Sequence, residues 1–289
     1  MADIETIAIA PLFGPPSPAR DQTDSRIMAA ASGIGFMAIR NFPGDDWLTR
    51  QNRARLLAIF SLPEAEKQKL LRWNFDRTKE NVYRGWFPLQ PGAVSYKEGI
   101  DMGPDIADAR TQPSSLDARD PLCEATPLPP ESALPGWREA AAGYYKAMEK
   151  VGSALLRSVA RGLGLTETVF DKDFEGGIST LRLIRYPLRD PNCGVDLSGP
   201  DFSVMHKGEM RTIIGREHAD SGFVTLLGRC RGPAGKKPCR RMDRCAARRQ
   251  HTRRQFRTVA GALDRRPGAR DPASGDRAQT GALLDPVLL

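Results

Sequence analysis

The chain has 289 residues, enough for one large domain or two modest ones, and its 40% apolar content supplies a core without any run of membrane length. Its net charge of +8 is unevenly placed: residues 1–227 hold 27 Lys and Arg against 30 Asp and Glu, a net of −3, while residues 228–289 hold 16 against 5, a net of +11. The first part is thus an ordinary, slightly acidic protein, which excludes nucleic-acid binding as a property of the whole chain, and five cysteines without paired spacing suit a reducing cytoplasm better than a disulfide framework.

The N-terminus carries Asp3 and Glu5 and reads as no secretion signal. Ile4–Ile9 alternates weakly as a short strand does, and a helix is predicted from about Asp24 to Ser32 around Ile27, Met28 and Ala31. Gly33–Ile39 is an apolar run closed by Gly44, which predicts a strand; Trp47–Phe60 is amphipathic and helical, and Ser61-Leu-Pro-Glu64 opens a further helix. Pro104–Pro135 holds seven prolines and few apolar residues, so an irregular surface connection is expected. Trp137, Ala141, Tyr144, Met148, Val151, Leu155 and Val159 then recur at steps of three and four, the face of one long helix that backs the core and ends at Gly162 and Gly164.

From Ser179 the period changes to two. Leu181 and Leu183 alternate with polar residues up to Tyr186, and Pro187 ends the segment as it would end a strand. Arg211–Ile214 and Gly222–Leu227 are further strands in this reading. A helical first part followed by strands predicts an α+β chain: a double-stranded β-helix (jelly-roll) core with a helical N-terminal flank.

His218-Ala-Asp220 directly precedes the strand Phe223–Leu227. Residues two apart in extended chain point the same way, so one imidazole and one carboxylate can meet a single ion. Two His and one carboxylate on one face of Fe(II) leave positions open for other ligands. A His-x-Asp triplet alone is a weak signal, but Arg216–Leu227 resembles the His-Thr-Asp-x-Gly-x-Leu-Thr-Leu-Leu signature of the isopenicillin N synthase-like oxygenases, with Ala219 at the usual Thr position. Gly33–Asn41 is similar to that family's Gly-Phe-Phe segment, Arg84-Gly-Trp-Phe87 to its Arg-Gly-Tyr stretch, Tyr96–Asp101 to its Lys-Glu-x-Phe-Asp stretch, and Leu181–Pro187 to its strand ending in Tyr-Pro. The similarity runs from residue 4 to 227.

The resemblance implies an oxidoreductase that binds Fe(II) through His218 and Asp220 and uses 2-oxoglutarate and dioxygen to oxidise a small-molecule substrate by hydroxylation, desaturation or cyclisation. It makes Tyr186 a candidate contact for the 2-oxoglutarate carboxylate, with a half-buried strand tyrosine as the plain alternative. Other residues carry less. His206 reads as a solvated loop residue, Arg182 and Arg185 as ordinary strand surface charges, and Cys123 and Cys193 lack partners at metal-ligand spacing.

By the same resemblance a second His should follow Asp220 by about fifty residues, and an Arg-x-Ser should bind the keto acid. The tail offers only His251, 31 positions after Asp220 and set in Arg248-Arg-Gln-His-Thr-Arg-Arg254, where neighbouring cations oppose a dication. Between Gly228 and Thr280 the large apolar residues are Met242, Phe256, Val259 and Leu263, too few for packed strands. Fourteen Arg against two Lys, with abundant Ala, Gly and Pro, fits GC-rich DNA read out of frame.

The letters permit a test. Starting each codon at its second base, Met242-Asp243 forces a Trp, and allowed codons continue through Thr-Asp-Val-Pro-Pro-Val-Asp-Ser-Thr-Leu-Val-Val-Asn-Phe-Gly-Gln-Leu-Leu to a His that begins within the codon of Ala273, 53 positions after Asp220. From Ala282 the same frame can read Arg-Phe-Ser-Ile-Pro-Phe-Phe. The expected organisation is an N-terminal oxygenase region over 1–110, a Pro-rich connection over 111–135, the backing helix and first core strands over 136–227, and a frameshifted Arg-rich tail over 228–289 that lacks the remaining strands, is disordered and leaves the chain inactive. The alternatives are an oxygenase-like domain with an Arg-rich nucleic-acid-binding tail, and a non-catalytic binding module.

Overall fold

The computed structural model describes residues 4–74, 76, 78–107, 120–174, 177, 179–189, 196, 199, 202–206, 208–212, 223–228 and 284–285. Strand β1 (Thr6–Ala8) runs parallel to β2 (Ala38–Arg40), pairing Ile7 with Ile39. Between them lies helix α1 (Pro18–Ser32), whose N-terminus is capped by the Ser17 hydroxyl accepting from the Arg20 amide at 3.3 Å, with Pro18 in the first turn. The helix thus starts six residues before the expected Asp24, because its first turn is defined by its cap rather than by apolar residues.

Two other expectations are corrected here. Of the apolar run Gly33–Ile39 only the end is strand; Gly35 takes a positive φ of 79° and its amide donates to the Ala30 carbonyl, so the run begins as the turn that closes α1. Trp47–Phe60 is broken into a 3-10 turn at Asp45–Leu48, helix α2 (Arg50–Leu57) and a second 3-10 turn at Ala58–Ser61. The Thr49 hydroxyl caps α2 by accepting from the Asn52 amide, a start signal inside what looked like a continuous helix. Helix α3 (Glu64–Gln68) follows as expected.

Helix α4 (Trp137–Gly162) is the backbone of the core. Trp137, Ala140, Ala141, Tyr144, Met148, Val151 and Leu155 are buried against Ile7, Ile27, Leu56 and Ile59, as the three-and-four spacing predicts. The Trp137 indole N–H donates to the Leu56 carbonyl at 2.9 Å. Asp24 on α1, nearly buried, accepts the Ser158 hydroxyl at 2.6 Å and both Nε and Nη2 of Arg161 at 2.6 and 2.8 Å, fixing α1 across α4. Helix α5 (Asp171–Phe174) is a single turn.

Strands β3 (Gly85–Phe87), β4 (Glu98–Met102) and β5 (Leu181–Arg185) form one antiparallel sheet in the order β3-β4-β5. The Pro-rich stretch is irregular over its described part, as expected, but it is not superficial. Cys123 and Thr126 are buried, and the Glu124 carboxylate accepts the backbone amides of Val82, Tyr83 and Arg84 ahead of β3. The fully buried Arg84 returns the tie by donating to the Leu122 and Met102 carbonyls and the Thr180 hydroxyl.

Beyond β5 the described residues make two small pairings. β6 (Ser203–His206) and β7 (Glu209–Thr212) form a hairpin, so His206 ends a strand rather than sitting in a loop. β8 is Val224–Thr225, shorter than the expected Gly222–Leu227, and pairs in parallel with β9, Leu284–Asp285. That two-residue pairing departs from the expectation that the tail supplies no strand; residues 229–283 lie outside the described residues. Among the described residues the architecture is α+β, with short sheets rather than a closed barrel, and no helix is long and apolar enough to cross a membrane.

Candidate active site

The three stretches singled out by motif, Arg84–Phe87, Tyr96–Asp101 and Leu181–Pro187, are the three strands of one sheet. The register sorts their side chains onto two faces. Trp86, Ile100, Met102, Leu181 and Leu183 fall on one face and enter the core. Phe87, Gly99, Asp101, Arg182 and Ile184 fall on the other, and the alternation continued by one residue brings Lys97 and Tyr186 to that same side.

Each face holds one buried carboxylate. Glu98, 1% exposed at the edge of the core face, accepts the Trp86 indole N–H at 3.1 Å and pairs with Lys67 at 3.4 Å and with Arg185. Asp101, fully buried on the opposite face, takes Nε and Nη2 of Arg182 and Nη1 of Arg72. Arg182 and Arg185 are therefore structural ion-pair partners, not surface charges. The signal for this was present in Glu98 and Asp101, whose strand neighbours they are, but it needs the β4–β5 register to be read.

The Phe87 ring organises the outer face. It lies over Gly99, where an added Cβ would stand 2.4 Å from the ring, and the Arg72 guanidinium stacks 4.3 Å from the ring centre. Gly99 is thus needed for close approach. Lys97 is half-buried beside these groups; burial lowers its pKa, the Arg182 and Arg72 charges lower it further, and Asp101 opposes them. Burial raises the Tyr186 phenol, against Arg182, so that at neutral pH it is a hydrogen-bond donor. Tyr186 is 39% exposed, open enough to meet a ligand.

His218 and Asp220 lie outside the described residues. The segment that follows them is placed: Val224 and Leu226 lean on the core cluster, and Phe223 meets Phe174 edge-to-face at 5.8 Å. Among the described residues no group of three His, Cys, Asp or Glu is arranged to hold a metal. Cys123 is a buried free thiol, as its spacing implies.

Comparison with known proteins now gives the class. Residues 4–124 match the family described as the non-haem dioxygenase in morphine synthesis N-terminal domain. Among solved structures, a 2OG-Fe(II) oxygenase family protein from Caulobacter crescentus superimposes with a TM-score of 0.50 at 20% identity, covering 65% of this chain and 57% of that one. A full-length Neurospora crassa protein crystallised with alpha-KG and thymine gives 0.51 at 18% identity, covering 64% and 55%. The fold is that of the 2-oxoglutarate/Fe(II) oxygenases.

Within that class, isopenicillin N synthase of Streptomyces clavuligerus is 27% identical over 230 residues, covering 78% of this chain and 65% of the relative. The Penicillium rubens enzyme of the same name is 28% identical over 229 residues, and the 2-oxoglutarate-dependent dioxygenase htyE of Aspergillus rugulosus is 28% identical over 199 residues, covering 68% of this chain and 55% of itself. The chain belongs to the isopenicillin N synthase-like oxygenases, and it spans 65% of the length of the first of these relatives.

Proposed function

We propose that the chain derives from a cytoplasmic non-haem Fe(II), 2-oxoglutarate-dependent dioxygenase that oxidises a small molecule by hydroxylation, desaturation or cyclisation. The observation that carries this reading is the assembly of three separate motif stretches into one sheet whose outer face ends at Tyr186. When bound, Fe(II) with 2-oxoglutarate supplies oxidising power from dioxygen. Tyr186, protonated and part-exposed, is suited to donate to a carboxylate of the cosubstrate. The covered part divides into the N-terminal oxygenase region 1–110, the connection 111–135, and the backing helix with the first strands of a jelly roll, 136–227.

The donor set of this chain does not complete the metal site. His218 and Asp220 give two of the three donors of a 2-His-1-carboxylate site. His206 ends a hairpin whose Val204, Met205 and Met210 are exposed, and His251 stands among five Arg. We therefore assign no reaction step through the metal in this polypeptide and expect it to be inactive.

The missing parts are accounted for by a change of reading frame near Gly228. Support comes from the charge break at that point, the scarcity of apolar residues after it, and the shifted frame that restores a His 53 positions after Asp220 and an Arg-Phe-Ser at Ala282. The share of the chain outside the match to the Streptomyces clavuligerus relative, about a fifth, also equals the tail in size. Sequencing the coding DNA through codons 225–245 tests this: an uninterrupted family frame restored by one base supports it, and its absence in every frame refutes it.

One observation favours a second reading. The +11 tail has the charge of a nucleic-acid-binding extension. Salt-sensitive RNA or DNA affinity that disappears on truncation at Gly228 would support that reading; no affinity would remove it.

A further inference from the structure

The outer face of the β3-β4-β5 sheet carries more positive charge than its own carboxylate balances. Arg72, Lys97 and Arg182 surround Asp101, three cations to one anion. Both Asp101 oxygens are already engaged by the two arginines. Lys97 has no described carboxylate within ion-pair distance, and the buried Nε of Arg72 meets no hydrogen-bond acceptor among the described residues. Removing cations from water without a counter-ion is unfavourable, so such a surplus beside a candidate active site is a place for an anion from outside the chain.

The surroundings restrict what that anion can be. Phe87 presents a ring edge and face between the cations, and Ile184 adds an apolar side chain on the same sheet face. Tyr186 closes the row with a phenol that donates. A flat or extended apolar body with one carboxylate fits this sequence of contacts better than a multiply charged ion does. The geometry points to a substrate that carries a carboxylate, held by Lys97 and the free edge of Arg72, with its apolar part lying along Phe87 and Ile184 toward Tyr186.

This assignment rests on the oxygenase reading, because the family motifs are what make this face the site. It is tested without turnover, on the full chain. Matched probes are phenylacetate with phenylacetamide, and hexanoate with hexanamide, titrated while thermal unfolding is followed. The carboxylate of each pair should raise Tm and the amide should not. Lys97→Met should weaken carboxylate binding by about tenfold, the loss of one charged hydrogen bond, and Lys97→Arg should keep most of it. Equal effects of acid and amide, or unchanged affinity in Lys97→Met, would overturn the proposal. Displacement of phenylacetate by 2-oxoglutarate would also overturn it, since the cations would then serve the cosubstrate. Fe(II) binding measured in the same samples reports separately on the oxygenase reading. Carboxylate selectivity in a chain that binds no iron supports the anion site and counts against that reading alone.

Discussion

Asp101 and Arg182 stand opposite each other in the antiparallel pairing of β4 and β5, and the fully buried carboxylate takes two nitrogens of the guanidinium, Nη2 at 2.9 Å. The pair locks the register of the two strands that lead to Tyr186. Arg72 adds its charge from the segment before β3, so one carboxylate joins three parts of the chain. Replacing Asp101 by Asn keeps the shape but leaves two guanidinium groups without a counter-charge. Asp101→Asn should cost about 3–5 kcal/mol in urea unfolding, as breaking a buried ion pair does. A loss no greater than that of a surface substitution would show that the register is held by other means.

Asp24 makes the corresponding link between helices. Asp24→Ala should cost about 2–4 kcal/mol, because the Ser158 hydroxyl and the Arg161 guanidinium lose a shared acceptor in a nearly buried place. The exposed pair of Arg26 with Glu5 is the control: Glu5→Gln should change stability by less than about 1 kcal/mol. Equal effects of the two substitutions would deny Asp24 its role.

Gly99 is set by the Phe87 ring and by the Leu183 carbonyl, 2.6 Å from where a Cβ would be. Gly99→Ala should lower stability by about 1–3 kcal/mol through overpacking. It should also displace Phe87 and so weaken carboxylate binding, whereas Gly92→Ala, with open space around it, should do neither.

The helix α4 phenols Tyr144 and Tyr145 have pKa values raised by burial above the usual 10.0. Their folded values lie above their unfolded ones, so the neutral form is favoured in the fold. Stability is fully kept below pH 10.0 and falls as pH rises past it, where the unfolded chain ionises first. Unfolding midpoints measured from pH 8 upward should drop beyond about pH 10, and Tyr144→Phe should flatten that drop. A flat profile in the unsubstituted chain would contradict the burial of these groups.

Much of the fold can be read from the letters, and what cannot has identifiable causes. Helix α4 announces itself because one face is apolar over 26 residues. β5 does so because Leu181 and Leu183 alternate ahead of Pro187. Strands β3 and β4 escape periodicity, since all eight of their residues are buried and polar Glu98 and Asp101 interrupt the apolar pattern. Their positions were visible only as family motifs. The roles of Arg72, Lys97 and Arg182 depend on register, a long-range property that no local pattern encodes. The breaks around α2 were missed because a Thr cap within an amphipathic stretch looks like any polar position.

The central claim is that this chain is an isopenicillin N synthase-like oxygenase whose metal site is interrupted by a change of frame near Gly228. The most direct measurement is Fe(II)-dependent conversion of 2-oxoglutarate to succinate, made on this polypeptide and on one translated with the frame shifted by one base after Gly228. The account predicts no turnover by the first and turnover by the second. Turnover by the polypeptide as it stands, or none by the restored one when it is folded and iron-loaded, would contradict it.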